Sequence, residues 1–202
     1  MPSKPNPAIA AAALLAASSA AAQAPPKNVR GEVVALAADR ISVRPDSGPT
    51  LDMRLAPEWS VQVMRPLDLE RIPAGSFVGA VETPVAGAAD VGRAHEVHQF
   101  LPGVRMGEGR LPWDRPAGAT MTSGVIGPVS RTPDGHAFDL SFEGGAHRIL
   151  VPAGTPVVLI NNEGRENIKV GVKVFILAWP EADGGLRVDA VATGPEGAAP
   201  PL

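Results

Sequence analysis

The chain has 202 residues, a formal net charge of −3, 45% hydrophobic and 4% aromatic residues, and neither Cys nor Tyr. The lack of Cys excludes a disulfide framework, so stability has to come from sheet pairing and packed cores. An acidic balance without Tyr or a clustered Lys/Arg stripe excludes a nucleic-acid groove, and 22 Gly with 22 Pro exclude long helices.

Residues 1–24 read as a secretory signal peptide. Lys4 supplies a minimal positive start, residues 8–17 are an apolar run too short to span a bilayer, and small residues from 18 to 24 allow cleavage after Ala22 or Ala24. Pro25 would be a poor first residue, which favours Ala22. Without Lys4 the mature chain carries 17 basic and 21 acidic residues, a net charge of −4. No later run is long and apolar enough for a transmembrane helix, so the mature protein is expected to be soluble and periplasmic.

Beyond a Pro-rich lead, residues 29–36, 41–44 and 51–55 alternate apolar and polar positions between turns at 39–40 and 45–49, a meander with one wet face. Pro57 is expected to break it before a strand at 60–64. Residues 67–72 form at most one or two helical turns, and strands at 77–83 and 93–100 close the unit. The second half repeats this order: strands at 123–130, 137–142, 147–151 and 156–160, then 172–178 and 186–191. Pro152 stands for Pro57, and Gly171 stands for Gly75.

The spacings agree closely. Gly31 to Pro57 is 26 positions and Gly124 to Pro152 is 28, while Pro57 to Gly75 is 18 and Pro152 to Gly171 is 19. Each Gly ends an Ile-x-x-Gly turn before an apolar strand, where positive φ is cheap only for glycine. The expected architecture is all-β: two tandem, internally duplicated small barrels of OB-like size. Unit 1 covers 28–101, a Gly/Pro/Trp connector 102–120, unit 2 121–194 and a Pro-rich tail 195–202.

Gly31-Glu-Val-Val-Ala-Leu with Ile41-Ser-Val resembles the start of a bacterial β-barrel domain of unknown function. The elements Glu96-Val-His98, Gly107-Glu-Gly-Arg-Leu-Pro-Trp-Asp114, Thr120-Met-Thr122 and Pro200-Pro-Leu202 are similar to those of a group of exported two-unit bacterial proteins. The resemblance covers essentially the whole mature chain and implies the fold and an exported location, but no activity. Where the family pattern often has His after Gly-Glu-Gly, this chain has Arg110, which weakens any metal site carried over from that motif.

Catalytic motifs fail. The chain has no Gly-x-Ser-x-Gly elbow, His-Glu-x-x-His, Cys nucleophile or phosphate-cradling loop, so no enzyme activity and no cofactor are expected. His95-Glu-Val-His98 is the one dense group of ligand types. On a strand, residues i and i+3 face opposite ways, so His95 and His98 cannot chelate together without a bulge, whereas Glu96 and His98 share a face. Two ligands fall short of a transition-metal site, and sequence cannot say whether His136 or His147 completes one. Glu96 and His98 are thus the metal candidates, set against a reading as ordinary strand residues. Trp113, with Asp114 and Arg110, is the candidate anchor, either pinning the connector to the barrels or meeting a partner. The expected function is a non-catalytic interaction or envelope-structural module whose partner is another envelope protein. The alternative is a periplasmic accessory protein that binds a metal or small ligand.

Overall fold

Alternation of buried and outward side chains dictates the strands. In β1 (Lys27–Leu36), Val29, Gly31 and Val33 are buried between outward neighbours, and in β2 (Arg40–Pro45) Ile41 and Val43 are. The structure, a computed structural model, describes residues 24–201 and is all-β apart from short 3-10 turns. The signal-peptide reading lies, but for Ala24, outside the described residues. No helix among the described residues is long and apolar enough to cross a membrane.

The first half continues through β3 (Leu51–Pro66), a 3-10 turn at Leu69–Arg71, β4 (Phe77–Val85) and β5 (Ala88–Gln99). Then come β6 (Gly109–Pro112), β7 (Thr120–Ile126), β8 (Ser130–Thr132), β9 (Gly135–Phe142), β10 (Gly145–Pro152) and β11 (Val157–Glu163). A 3-10 turn at Arg165–Asn167, β12 (Lys173–Pro180) and β13 (Leu186–Thr193) follow.

Strands β7, β9, β10, β5 and β4 form a closed five-stranded mixed barrel, antiparallel except where β5 runs beside β10. The path β1–β2–β3–β13–β12 likewise returns on itself, antiparallel except for β3 beside β13. The pairing corrects one expectation. Neither circuit is built from one half of the chain: each takes three strands from one half and receives its last hairpin from the other. The reason is visible at the paired glycines. Gly75 and Gly171 hold φ near +91° and +92°, as the turns require. Their N–H groups, however, donate across the molecule, Gly75 to the Ile126 carbonyl and Gly171 to the Val33 carbonyl, each at 2.8 Å. The turn thus delivers each hairpin to the other half's strands.

Corresponding positions play corresponding parts. Val78 pairs with Gly124 as Val174 pairs with Gly31, and both glycines permit close strand crossings. A Cβ on Gly31 would lie 2.2 Å from the Arg44 carbonyl oxygen, and one on Gly124 2.5 Å from that of Ser141. Val33, Val43, Val61, Val174, Ile176 and Val191 pack one core; Val78, Ala80, Val97, Ile126, Phe138 and Leu140 pack the other. Antiparallel β3 and β11, with Met64 opposite Ile160, join the two circuits. Around this join Met64, Phe77, Phe100, Val158, Ile160 and Phe175 form a third apolar cluster, the seam.

Two local expectations also change. Pro57 does not end a strand. β3 runs through it, because between the Leu55–Val188 and Ser60–Ala190 pairs four residues of β3 face one of β13. In that bulge the missing N–H of proline costs no ladder bond. The connector is not purely a linker either, since its residues Gly109–Pro112 are β6, which pairs with β7.

Interlocking has a testable consequence. Proteolytic nicking between Arg105 and Glu108, outside any strand, is expected to yield two fragments that co-elute at native mass and separate only in denaturant. Separation under native conditions would contradict the exchange of hairpins.

Candidate functional site

Most of the buried polar side chains lie on or against the β4–β5 hairpin. Along β4, Val78 and Ala80 enter the barrel core while Phe77 and Val81 face outward onto other apolar groups, so the strand is covered on both sides. Glu82 falls in the inward phase and is fully buried. Its Oε1 accepts hydrogen bonds from Arg110 Nη2 at 2.9 Å and Thr122 Oγ1 at 3.0 Å, and lies 3.5 Å from His147 Nε2. Room for the carboxylate comes from Gly92, where a Cβ would stand 2.3 Å from Glu82 Oε2. Arg110 therefore anchors β6 through a charge-assisted bond to a carboxylate sealed in the barrel end. The His147 pKa is lowered from 6.5, first by burial and then by the Arg110 charge, against the opposing pull of Glu82 and Asp90.

On β5 the register steps from the Val81–Glu96 pair to the Glu82–Ala94 pair, leaving His95 unopposed in a bulge. Ala94 and Val97 both reach the core, while Glu96 and His98 face the other way and are also buried. His95 stays exposed, with Nε2 3.0 Å from Thr83 Oγ1. His98 Nδ1 lies 3.6 Å from Glu96 Oε1, and neither atom has a hydrogen-bond partner. The His98 ring meets Phe100 edge-on at 5.0 Å and occupies space that only glycine leaves at position 79, since a Cβ there would stand 2.3 Å from Nε2.

The segment after β6 crosses this hairpin as a strap. Trp113 is half-buried, with its ring 5.9 Å from Phe175 and further contacts in a small cluster with Val81, Ala119 and Met121. Its backbone N–H donates to the Ala119 carbonyl. Asp114 reaches back to β1, accepting from Arg30 at 2.6 and 3.1 Å and from Asn28 at 2.5 Å, while the Arg30 guanidinium lies 4.8 Å from the Phe175 ring centre. Partial burial pushes the Asp114 pKa up, but the bonds from Arg30 and Asn28 outweigh it and the net direction is down.

Between strap and hairpin lies an open cleft of about 230 Å³. Val81, His95 and Glu96 line it from the hairpin and Arg30 from β1; Trp113, Arg115 and Pro116 close it from the strap, and Pro201 from the tail. Of the sequence candidates, Glu96 and Trp113 meet here, Asp114 holds its Arg30 wall, and His98 backs Glu96. Arg110 lies elsewhere, at Glu82. The histidines that sequence could not place are separated: His147 stands at Glu82, and His136 pairs with exposed Glu70 at 3.2 Å. No group of three or more His, Cys, Asp or Glu among the described residues is arranged to hold a metal ion. Sequence reading missed Glu82, although its position in register with core residues Val78 and Ala80 marks a charge on the inward face. It also missed Arg30 and Arg115, which carry no local signature.

Comparison with protein-family models, curated proteins and solved structures finds no match for this chain. The chemistry of the cleft therefore has to be read from its own residues.

Two outcomes check the electrostatics. Arg110→Met leaves Glu82 buried without its cation and is expected to cost about 3 kcal/mol in urea unfolding. Adding Glu82→Gln should recover most of that loss, the coupling expected for a direct pair. For His147, the folded pKa lies below the ordinary value, so the neutral ring favours folding fully above pH 6.5. That contribution falls away as pH drops through this value, because the unfolded chain then binds a proton that the folded chain refuses. Replacing His147 with Gln should flatten stability between about pH 7 and pH 5.

Proposed function

We propose that this protein is an exported, periplasmic, non-catalytic interaction module that grips another envelope protein at the strap cleft. The observation carrying this reading is convergence. Glu96 of the Glu-Val-His element, Trp113 of the central element and Pro201 of the tail line one cleft, and Met121 of Thr-Met-Thr packs in one cluster with Trp113. Elements separated by up to about a hundred residues in sequence serve one surface, which a purely local structural role would not require.

Size argues for a partner's side chain over a diffusible ligand. Pockets that enclose small molecules typically span about 300–1,000 Å³, and this cleft holds about 230 Å³ and is open. It suits a single projecting residue. An aromatic wall with a polar base is the usual form of such an anchor site. The metal-binding alternative has two ligands in place, Glu96 and His98, and would have to draw the others from outside the described residues. The matched glycines, core positions and strand orders favour an internal duplication. On this reading the ancestral unit's closing hairpin was exchanged between copies, as in domain swapping.

A photo-crosslinking residue in place of Arg115, whose side chain is 55% exposed, is expected to give a discrete adduct in periplasm. The same residue at Arg148, on β10 away from the cleft, should give none. Equal labelling at both positions would remove the cleft as the interaction surface.

A further inference from the structure

We propose that the cleft receives one basic side chain, lysine or arginine, from the partner polypeptide, with its cationic head on Glu96 and its stem along Trp113. The proposal rests on reading the cleft as the interaction surface and adds the chemistry of the occupant. The argument is charge complementarity. Of the charged groups lining the cleft, Arg30 is held by Asp114 at 2.6 Å, and Arg115 pairs with Asp46 at 3.4 Å. Glu96 has no such answer. It is 2% exposed, its Oε1 lacks a hydrogen-bond partner, and it makes no ion pair with lysine or arginine among the described residues. His98 Nδ1, itself unpartnered, lies 3.6 Å from that oxygen. A carboxylate taken out of water without a cation is costly, and an incoming ammonium or guanidinium relieves that cost.

The walls fit the same occupant. Trp113 offers a ring along which an alkyl stem can lie and to which a cation is attracted, and Pro116 adds an apolar, rigid rim. A volume near 230 Å³ admits one long side chain and no folded element. The matching hairpin of the other half shows that the polar base is not a requirement of the fold. Counting from the Val78 and Val174 pairs, Gly79 corresponds to Phe175, and on the partner strands Glu96 and His98 correspond to Ala190 and Ala192. The same architecture closes there with Phe and Ala, so Glu96 and His98 are an addition specific to the cleft side.

The test is an NMR titration of the mature protein, following the Trp113 indole N–H, assigned with Trp113→Phe. The probes are acetyl-Gly-Lys-Gly-amide, its Arg and Gln counterparts, and n-butylamine. Saturable shifts with the Lys and Arg peptides are expected at Kd on the order of millimolar, the scale of a single anchored side chain. The Gln peptide should bind at least about tenfold more weakly, and Glu96→Gln should weaken the basic peptides by a similar factor. Arg115→Gln removes a rim cation and should tighten them about twofold or more. Equal binding of the Gln peptide overturns the proposal, and so does unchanged affinity in a natively melting Glu96→Gln variant. Butylamine binding as tightly as the Lys peptide overturns the polypeptide source. If Glu96→Gln does not fold, Arg115→Gln decides, and unchanged or weaker binding there overturns the proposal. Crosslinks at position 115 without any basic-peptide binding sink this inference alone, whereas loss of both sinks the interaction reading as well.

Discussion

The exchange of the closing hairpins is the constraint on which the rest of the molecule depends. Each circuit needs a parallel neighbour for its third strand, and the chain supplies it from the opposite half, β5 beside β10 and β13 beside β3. Once the hairpins cross, β3 and β11 must run side by side, and the residues at their junction, Met64 and Ile160, lie in the seam cluster. The seam is thus the interior that results when the two strand circuits share their parts. It also explains how a chain with few aromatics and no disulfide can bury enough apolar surface. Phe77, Phe100, Phe175 and Trp113 all gather at this seam, where their large areas count most.

The same exchange decides where polar groups can lie. The outward face of a barrel strand would ordinarily be wet, but β4 and β5 turn theirs into the seam and under the strap. Glu96 and His98, on that outward face, are therefore buried, while Glu82 is buried on the inward face of β4. Two glycines make the accommodation possible, Gly92 beside the Glu82 carboxylate and Gly79 beside the His98 ring. In both places the absent side chain is what admits a charged or heteroaromatic one. Glu82 is answered by Arg110 and Thr122. Each carboxylate keeps one oxygen without a hydrogen-bond partner, but Glu82 has the Arg110 guanidinium beside it, whereas Glu96 faces His98 Nδ1 at 3.6 Å.

Strand positions were readable because alternation, turn residues and the Ile-x-x-Gly motif are local. The positive φ values of Gly75 and Gly171 follow from the motif itself. The exchange was not readable, and the reason is physical. A tandem barrel and a swapped one use the same strand pairs, the same registers and the same inward phase. Only which half of the chain supplies the hairpin differs, and no local propensity encodes that. Pro57 misled for a related reason: a proline excludes a ladder hydrogen bond, and a bulge already lacks one. At the site, Glu96 and His98 sharing a face was legible from parity and Trp113 from its rarity. The use of Arg110 was not legible, because its partner Glu82 lies 28 residues away on a strand that reads as ordinary core.

The central element, Gly107 to Asp114, is best understood through what it crosses. Arg110 fastens its first part to the end of one barrel and Asp114 fastens its last part to Arg30 on β1 of the other circuit. Trp113 sits between these two fixed points, against Phe175 and the small cluster with Val81 and Met121. A segment tied at both ends to interlocked strand circuits has little freedom to act as a hinge. What it does is hold the Trp113 ring at a set place in the wall of the cleft that Glu96 also lines. For the basic side chain proposed as occupant, rigid walls lower the ordering cost of entry. The segment that ties the two circuits together thus also supplies a wall of the cleft, through Trp113.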